Sequence, residues 1–122
     1  TQTQIVEQVY QNVLNRAGEA GGINYCSGEL SSGNISVSQL VNAIVNTSVE
    51  KDGNGNYKNS TDATIFNNKI QVSQYCYDNN VNATENNAIS LSSITTDFSS
   101  VSSVKAIASG FIDNSNNITP AF

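Results

Sequence analysis

The chain has 122 residues, 38% of them hydrophobic and only 12% charged, with a formal net charge of −5. That fits one domain with a single lean core, against a charged fraction of roughly 25% in an average soluble domain. Five Lys and Arg in total give no basic footprint for nucleic acid. There is no histidine, which removes the commonest general base, the Ser-His and Cys-His nucleophile pairs and the commonest metal ligand, so the composition points away from an enzyme.

The missing charge is replaced by neutral polar residues: 19 Asn, 17 Ser, 9 Thr and 7 Gln. Such a surface hydrogen-bonds without long-range fields and suits a crowded extracellular array or a carbohydrate partner. A genome that favours Asn codons would produce the same bias. No stretch approaches the roughly 18 apolar residues of a bilayer span, so no membrane insertion is expected. No signal peptide opens the chain at Thr1; a mature chain, an excised domain or a protein exported through a C-terminal signal would begin this way.

Taken in chain order, Thr3 to Arg16 carries Ile5, Val6, Val9, Tyr10, Val13 and Leu14 at helical spacing. Gly18 reads as the stop, with Arg16 in the last turn, where a cation suits the helix dipole. Gly22 to Leu30 places Ile23, Cys26 and Leu30 on one face of a short helix. Ser36 with Gln39 forms a capping box, and Ile35 with Leu40 a hydrophobic staple, opening a helix on Val37, Leu40, Val41, Ile44 and Val45 that runs to about Ser48. From Val49 to Thr61 periodicity is lost, and Asp52-Gly53-Asn54-Gly55-Asn56 is turn chemistry. Asp62 then reads as the N-cap of a helix to about Tyr77, with Ile65, Phe66, Ile70, Val72, Cys76 and Tyr77 inward. Asn82 with Glu85 suggests a weaker capping box and a helix to about Ile94. The last helix, about Asp97 to Ile112, shows Phe98, Val101, Val104, Ala108, Phe111 and Ile112, and the tail 113–122 is expected to be irregular. Val and Ile number 22 and favour strands by propensity, but their spacing is 3 and 4 rather than 2.

The run Val9-Tyr10-Gln11-Asn12-Val13-Leu14-Asn15-Arg16, then Glu19, then Gly22-Ile23-Asn24-Tyr25, resembles the bacterial domain-of-unknown-function family 4214, whose pattern is roughly V-Y-x-x-V-L-x-R-x-x-D-x-x-G-L-x-Y-W. Leu30-Ser31-Ser32-Gly33 and Ile44-Val45-Asn46-Thr47-Ser48-Val49-Glu50 continue the resemblance. Asn67-Asn68-Lys69-Ile70 with Val72 and Tyr75 resembles the segment that follows this module in surface-layer-like proteins. The likeness is strongest over residues 5 to 50, weaker to 78 and absent beyond. It implies a helical module of surface-layer proteins and of large proteins exported by type I secretion, with no catalytic residues to carry over. Similar helical regions of some surface-layer proteins anchor the layer to lipopolysaccharide. Two departures stand out: the family's Asp is Glu19 here, a poorer cap for the second helix, and its Trp is Cys26.

Cys26 and Cys76 both fall on inward faces. In an exported chain they could form a disulfide closing a loop of about 50 residues, worth roughly 4 kcal/mol on the chain-entropy model; the alternative is two buried thiols acting as small hydrophobes. Asp52, Asn54 and Asn56 repeat like the start of a calcium loop, but an EF-hand needs Gly at its sixth position and Glu at its twelfth, where this chain has Tyr57 and Ala63. A Gly/Asn turn is the plainer reading, and calcium is a weak candidate cofactor. Tyr25, Tyr57, Tyr75 and Tyr77 are candidates to stack on sugar rings, Tyr57 and Tyr75 the better ones because they lie off the core stripes, with core or rim packing as the alternative. The ten carboxylates read as solvated surface charge, and Arg16 with Glu19 as a helix-end ion pair. Five Asn-x-Ser/Thr triplets, at Asn34, Asn46, Asn59, Asn82 and Asn117, follow from composition.

The expectation is therefore a single all-α domain over 1–122, an irregular bundle of five or six short helices, with a family-like region at about 3–78 and C-terminal helices at about 83–112. Functionally it is expected to be a non-catalytic module of a secreted or surface-exposed bacterial protein, assembling with copies of itself or anchoring to cell-surface polysaccharide. The alternative is a secreted adhesin or effector domain that binds a host protein or glycan.

Overall fold

The computed structural model describes residues 1–81 and 90–116, the last six of these as backbone only. The all-α expectation holds. Among the described residues there are five α-helices and one 3₁₀ turn: α1 (Gln2–Leu14), α2 (Ala20–Ser31), α3 (Val37–Ser48), α4 (Ser60–Asp78), the turn Leu91–Ser93, and α5 (Phe98–Asn116). Extended pairing among them is confined to one isolated antiparallel bridge, Lys51 with Tyr57. No described helix is long and apolar enough to cross a membrane. The chain gathers into two compact units, Thr1–Phe66 and Asn67–Phe122.

In the first unit, α1 buries Val6, Val9 and Leu14, and α3 buries Leu40 and Ile44. Tyr10, Ile23, Cys26, Leu30, Ile35 and Phe66 pack partly buried around them. The capping box at the start of α3 is formed in both directions: Gln39 N donates to Ser36 Oγ and Ser36 N to Gln39 Oε1, at 3.2 and 2.8 Å. The end of α1 differs from the sequence reading. The chain leaves α1 at Asn15, which takes the left-handed conformation at φ 55°, so Arg16 lies beyond the last turn and Gly18 is not the stop. Gly18 serves close approach instead: a Cβ there would meet the Tyr10 ring at 2.7 Å and Ile23 Cγ1 at 3.0 Å.

Gly22 has a similar duty, since a Cβ would lie 2.8 Å from the Tyr10 hydroxyl and no nearer than 3.8 Å to anything else. Gly28, in the same helix, has open space beside it. Gly28→Ala is therefore expected to raise stability by about 0.5–1 kcal/mol, the helix-propensity gain. Gly22→Ala should lower stability in the native background and raise it in a Tyr10→Phe background, a swing of about 1 kcal/mol. Thermal melts of the four chains check this, and equal effects in both backgrounds would show that the hydroxyl is not the obstacle.

In the second unit, Val72, Cys76, Ile94, Val101, Val104 and Ala108 form the core, with Tyr75, Val81 and Leu91 against it. Several stripe residues face solvent instead: Ile70, Tyr77 and Phe98 are exposed. Asn68 and Lys69, which the stripe leaves out, are buried. Asn68 is accommodated by donating from Nδ2 to the Thr95 carbonyl at 2.9 Å. Burial pushes the Lys69 ammonium pKa below its ordinary value. Of the helix expected over Asn82 to Ile94, residues 82–89, with the Asn82–Glu85 cap, lie outside the described residues. Its end is the 3₁₀ turn, in which Ser90 Oγ accepts from Ser92 N and Ser93 Oγ donates back to Ser90 O. The expected irregular tail is corrected in part, since 113–116 continue α5; 117–122 lie outside the described residues.

Both cysteines are free thiols, Cys26 in the first unit and Cys76 in the second. Each sulfur is taken up by its own unit, Cys26 against the first core and Cys76 within the second. Burial raises the pKa of both, with Glu29 adding to the effect at Cys26. A raised native pKa contributes stability that is complete below the unfolded thiol value of about 8.5 and is lost as pH climbs through the native values. Two predictions follow for a thiol-reactive dye. The unreduced, unfolded chain should give two thiols, and in the native chain Cys76, 3% exposed, should react slowest. No reaction on unfolding would restore the disulfide.

Candidate functional site

The first unit holds a cleft of about 390 Å³ between α1, α2, α3 and the start of α4. Leu14, Cys26, Ala43 and Ile44 give its apolar surface, and Arg16, Glu19, Glu50, Lys58, Asn59 and Asp62 its polar side. Tyr10 and Tyr25 complete the wall.

Asp62 is not the N-cap of α4. The cap is Asn59, whose Oδ1 accepts from Asp62 N at 3.0 Å while its Nδ2 donates to Asp62 Oδ2 at 3.0 Å. This frees Asp62, in the first turn where the helix dipole favours a carboxylate, to receive Arg16. Arg16 Nε donates to Oδ1 at 2.8 Å and Nη2 to Oδ2 at 2.7 Å, a bidentate pair across 46 residues of sequence. The Asp62 side chain is 6% exposed and that of Arg16 30%. The hydrogen bonds to Asp62 raise the Arg16 pKa above its already high value.

The expected Arg16–Glu19 ion pair is present at 3.0 Å, with Glu19 well exposed. Glu19 stands at the N-cap of α2 without a side-chain capping bond, as its poor fit to that role leads one to expect. Its carboxylate goes to Arg16 instead. Arg16 also covers the Tyr10 ring, 5.4 Å from its centroid, and donates from Nη1 to the Ala17 carbonyl at 2.8 Å. Burial first, then the charge of Glu19, raises the Tyr10 pKa. At the mouth of the cleft Lys58 Nζ pairs with Glu50 at 2.7 Å. Thus every carboxylate lining the cleft already holds a cation. Among the described residues no buried side-chain nitrogen or oxygen is left without a hydrogen-bond partner.

The other candidates fall elsewhere. Asp52 closes its own turn: Oδ1 accepts from Asn54 N and Asn56 N at 2.8 and 3.1 Å. Asn56 contributes its carbonyl to Asp52 N at 2.8 Å. Among the described residues no three His, Cys, Asp or Glu side chains are gathered as for a metal. Tyr57, 38% exposed, lies under Lys51, 5.0 Å from its ring centroid. Tyr75, in the second unit, packs against the core with Lys105 over its ring at 5.5 Å. The structure does not place either tyrosine in the cleft; the exposed aromatic there is Tyr25. Tyr25 was legible as one of the four tyrosines offered for stacking and as part of the family pattern, but only the fold puts it in one cleft with Arg16 and Asp62.

The model of a domain of unknown function (DUF4214) matches residues 1–53, in agreement with the resemblance read from the motif. No curated protein and no solved structure matches the chain.

Proposed function

We propose that this chain, whose residues 1–53 resemble the DUF4214 domain, is a non-catalytic binding module of a bacterial protein exported to the cell surface, where it anchors to surface polysaccharide. The observation that carries the reading is the cleft of the first unit, in which Asp62, Glu19 and Glu50 are each spent on Arg16 or Lys58. General acid–base work needs a carboxyl or base free to exchange a proton with substrate, and these groups are held by each other. What remains is a shaped, partly apolar recess with fixed polar groups, the composition of a binding site. The weakly charged, Asn- and Ser-rich composition is in keeping with a hydroxylated partner.

The test is binding of the folded chain to purified surface polysaccharide from the bacterium that encodes it, and to host cells, with and without calcium. Saturable binding to the polysaccharide is expected. Calcium dependence would bring the Asp52, Asn54 and Asn56 turn into the site. Binding to host cells alone would replace this reading with a secreted adhesin or effector domain, and binding to neither would overturn both.

A further inference from the structure

We infer that the cleft of the first unit is a saccharide subsite for an uncharged, N-acetylated pyranose, with Tyr25 as the plate on which the sugar ring stacks. This deepens the polysaccharide reading and rests on it. A volume of about 390 Å³ lies inside the roughly 300–1,000 Å³ of small-molecule sites. The division of the lining matches the division of a sugar: a C–H face and an acetyl methyl that seek apolar surface, and a rim of hydroxyls that seek acceptors and donors.

Tyr25 stands on α2 between residues that do something else. Ile23, Cys26 and Leu30 pack against the core, while Tyr25 lines the cleft and leaves 69% of its surface to water. A phenol ring so placed offers a rigid apolar face at small entropic cost, with a hydroxyl at its edge. Ala43 and Ile44 of α3, with Leu14 of α1, give the acetyl methyl a place that a plain hexose would leave empty.

The charges select against an anionic sugar. Three carboxylates, Glu19, Glu50 and Asp62, stand against two cations, Arg16 and Lys58, so an anionic sugar meets net repulsion. A hydroxyl can donate to the outer lone pairs of Glu19 or Glu50 without breaking the pairs at 2.7–3.0 Å.

The experiment has two arms on the full chain. In the first, ¹⁵N-labelled protein is titrated with N-acetylglucosamine and N-acetylgalactosamine, and with glucose, glucosamine and glucuronate. The expected result is shifts at Tyr25, Ala43 and Thr47 with a dissociation constant on the order of 1 mM for an N-acetyl sugar. Glucose and glucosamine, which lack the acetyl methyl, should bind about tenfold more weakly, and glucuronate should leave these signals unmoved. In the second arm, polysaccharide binding is compared for Tyr25→Ala, Tyr25→Phe and Ala43→Trp, whose positions are exposed, with circular dichroism to verify folding. Tyr25→Ala should lose about tenfold or more in affinity, Tyr25→Phe should keep most of it, and Ala43→Trp should block the cleft. Polysaccharide binding unchanged in Tyr25→Ala and Ala43→Trp would overturn the subsite and leave the anchoring reading standing. N-acetyl sugar shifts in the cleft without binding to the bacterium's polysaccharide would support the subsite and overturn the anchoring reading. Shifts outside the cleft, or none, would overturn the subsite.

Discussion

Arg16→Met is expected to lower the stability of the chain by about 2–4 kcal/mol, because it strands the Asp62 carboxylate in a place prepared for a cation. Losing one partner of a buried pair costs about 3–5 kcal/mol; the guanidinium here is 30% exposed, which brings the figure down. The converse change, Asp62→Leu, leaves an arginine that still has Glu19 at 3.0 Å and reaches water, so it should cost less. The double replacement removes the charge problem and should lie within about 1 kcal/mol of the native chain. Urea titrations followed by circular dichroism measure all four chains; urea is preferred because guanidinium chloride would screen the pair itself. A single Arg16→Met within about 0.5 kcal/mol of native would place this pair among ordinary surface salt bridges.

Leu40→Ala should cost about 2–5 kcal/mol, the range for emptying a filled core site. Leu40 is wholly buried in the cluster of Val6, Val9, Leu14 and Ile44, with Ile35 packed beside it. The first unit ends at Phe66, and at about 0.05–0.15 kcal/mol per residue its stability is a few kcal/mol, so the substitution should bring it close to unfolding. Val37, one turn earlier on the same stripe, is 46% exposed and supplies the control: Val37→Ala should stay within about 1 kcal/mol of native. Equal effects at the two positions would mean that α3 is not seated on Leu40.

These two expectations differ in how visible their origin is in the sequence. The Leu40 site was legible, because the capping box of Ser36 and Gln39 and the staple of Ile35 and Leu40 are local patterns, fixed by residues three to five apart. The stripes of α1 and α3 were legible for the same reason. The Arg16–Asp62 pair was not: its partners lie 46 residues apart, and at Asp62 the local pattern pointed to capping, a role that Asn59 takes. The exposure of Ile70, Tyr77 and Phe98 was also hidden. An apolar residue at helical spacing tells which face it is on, but not whether a neighbour arrives to cover it. Glycine gave a similar ambiguity. Gly18 looks like a helix stop, and only the position of the Tyr10 ring reveals it as a clearance. For the cleft, sequence supplied Arg16, Glu19, Tyr25 and Glu50 through the family pattern but not Lys58 or Asn59, which join them only when α3 and α4 are in place.

The reach of Arg16 to Asp62 also bears on where this module could be cut without harm. The matched family region stops at residue 53, while the carboxylate that neutralises Arg16, the amide of Asn59 that orients it, and Phe66 in the core all come later. A segment cut at the edge of the similarity would part the arginine from its bidentate partner and leave it Glu19 alone. The stretch that keeps this pair whole runs on to Phe66, thirteen residues past the end of the stretch by which it is recognised.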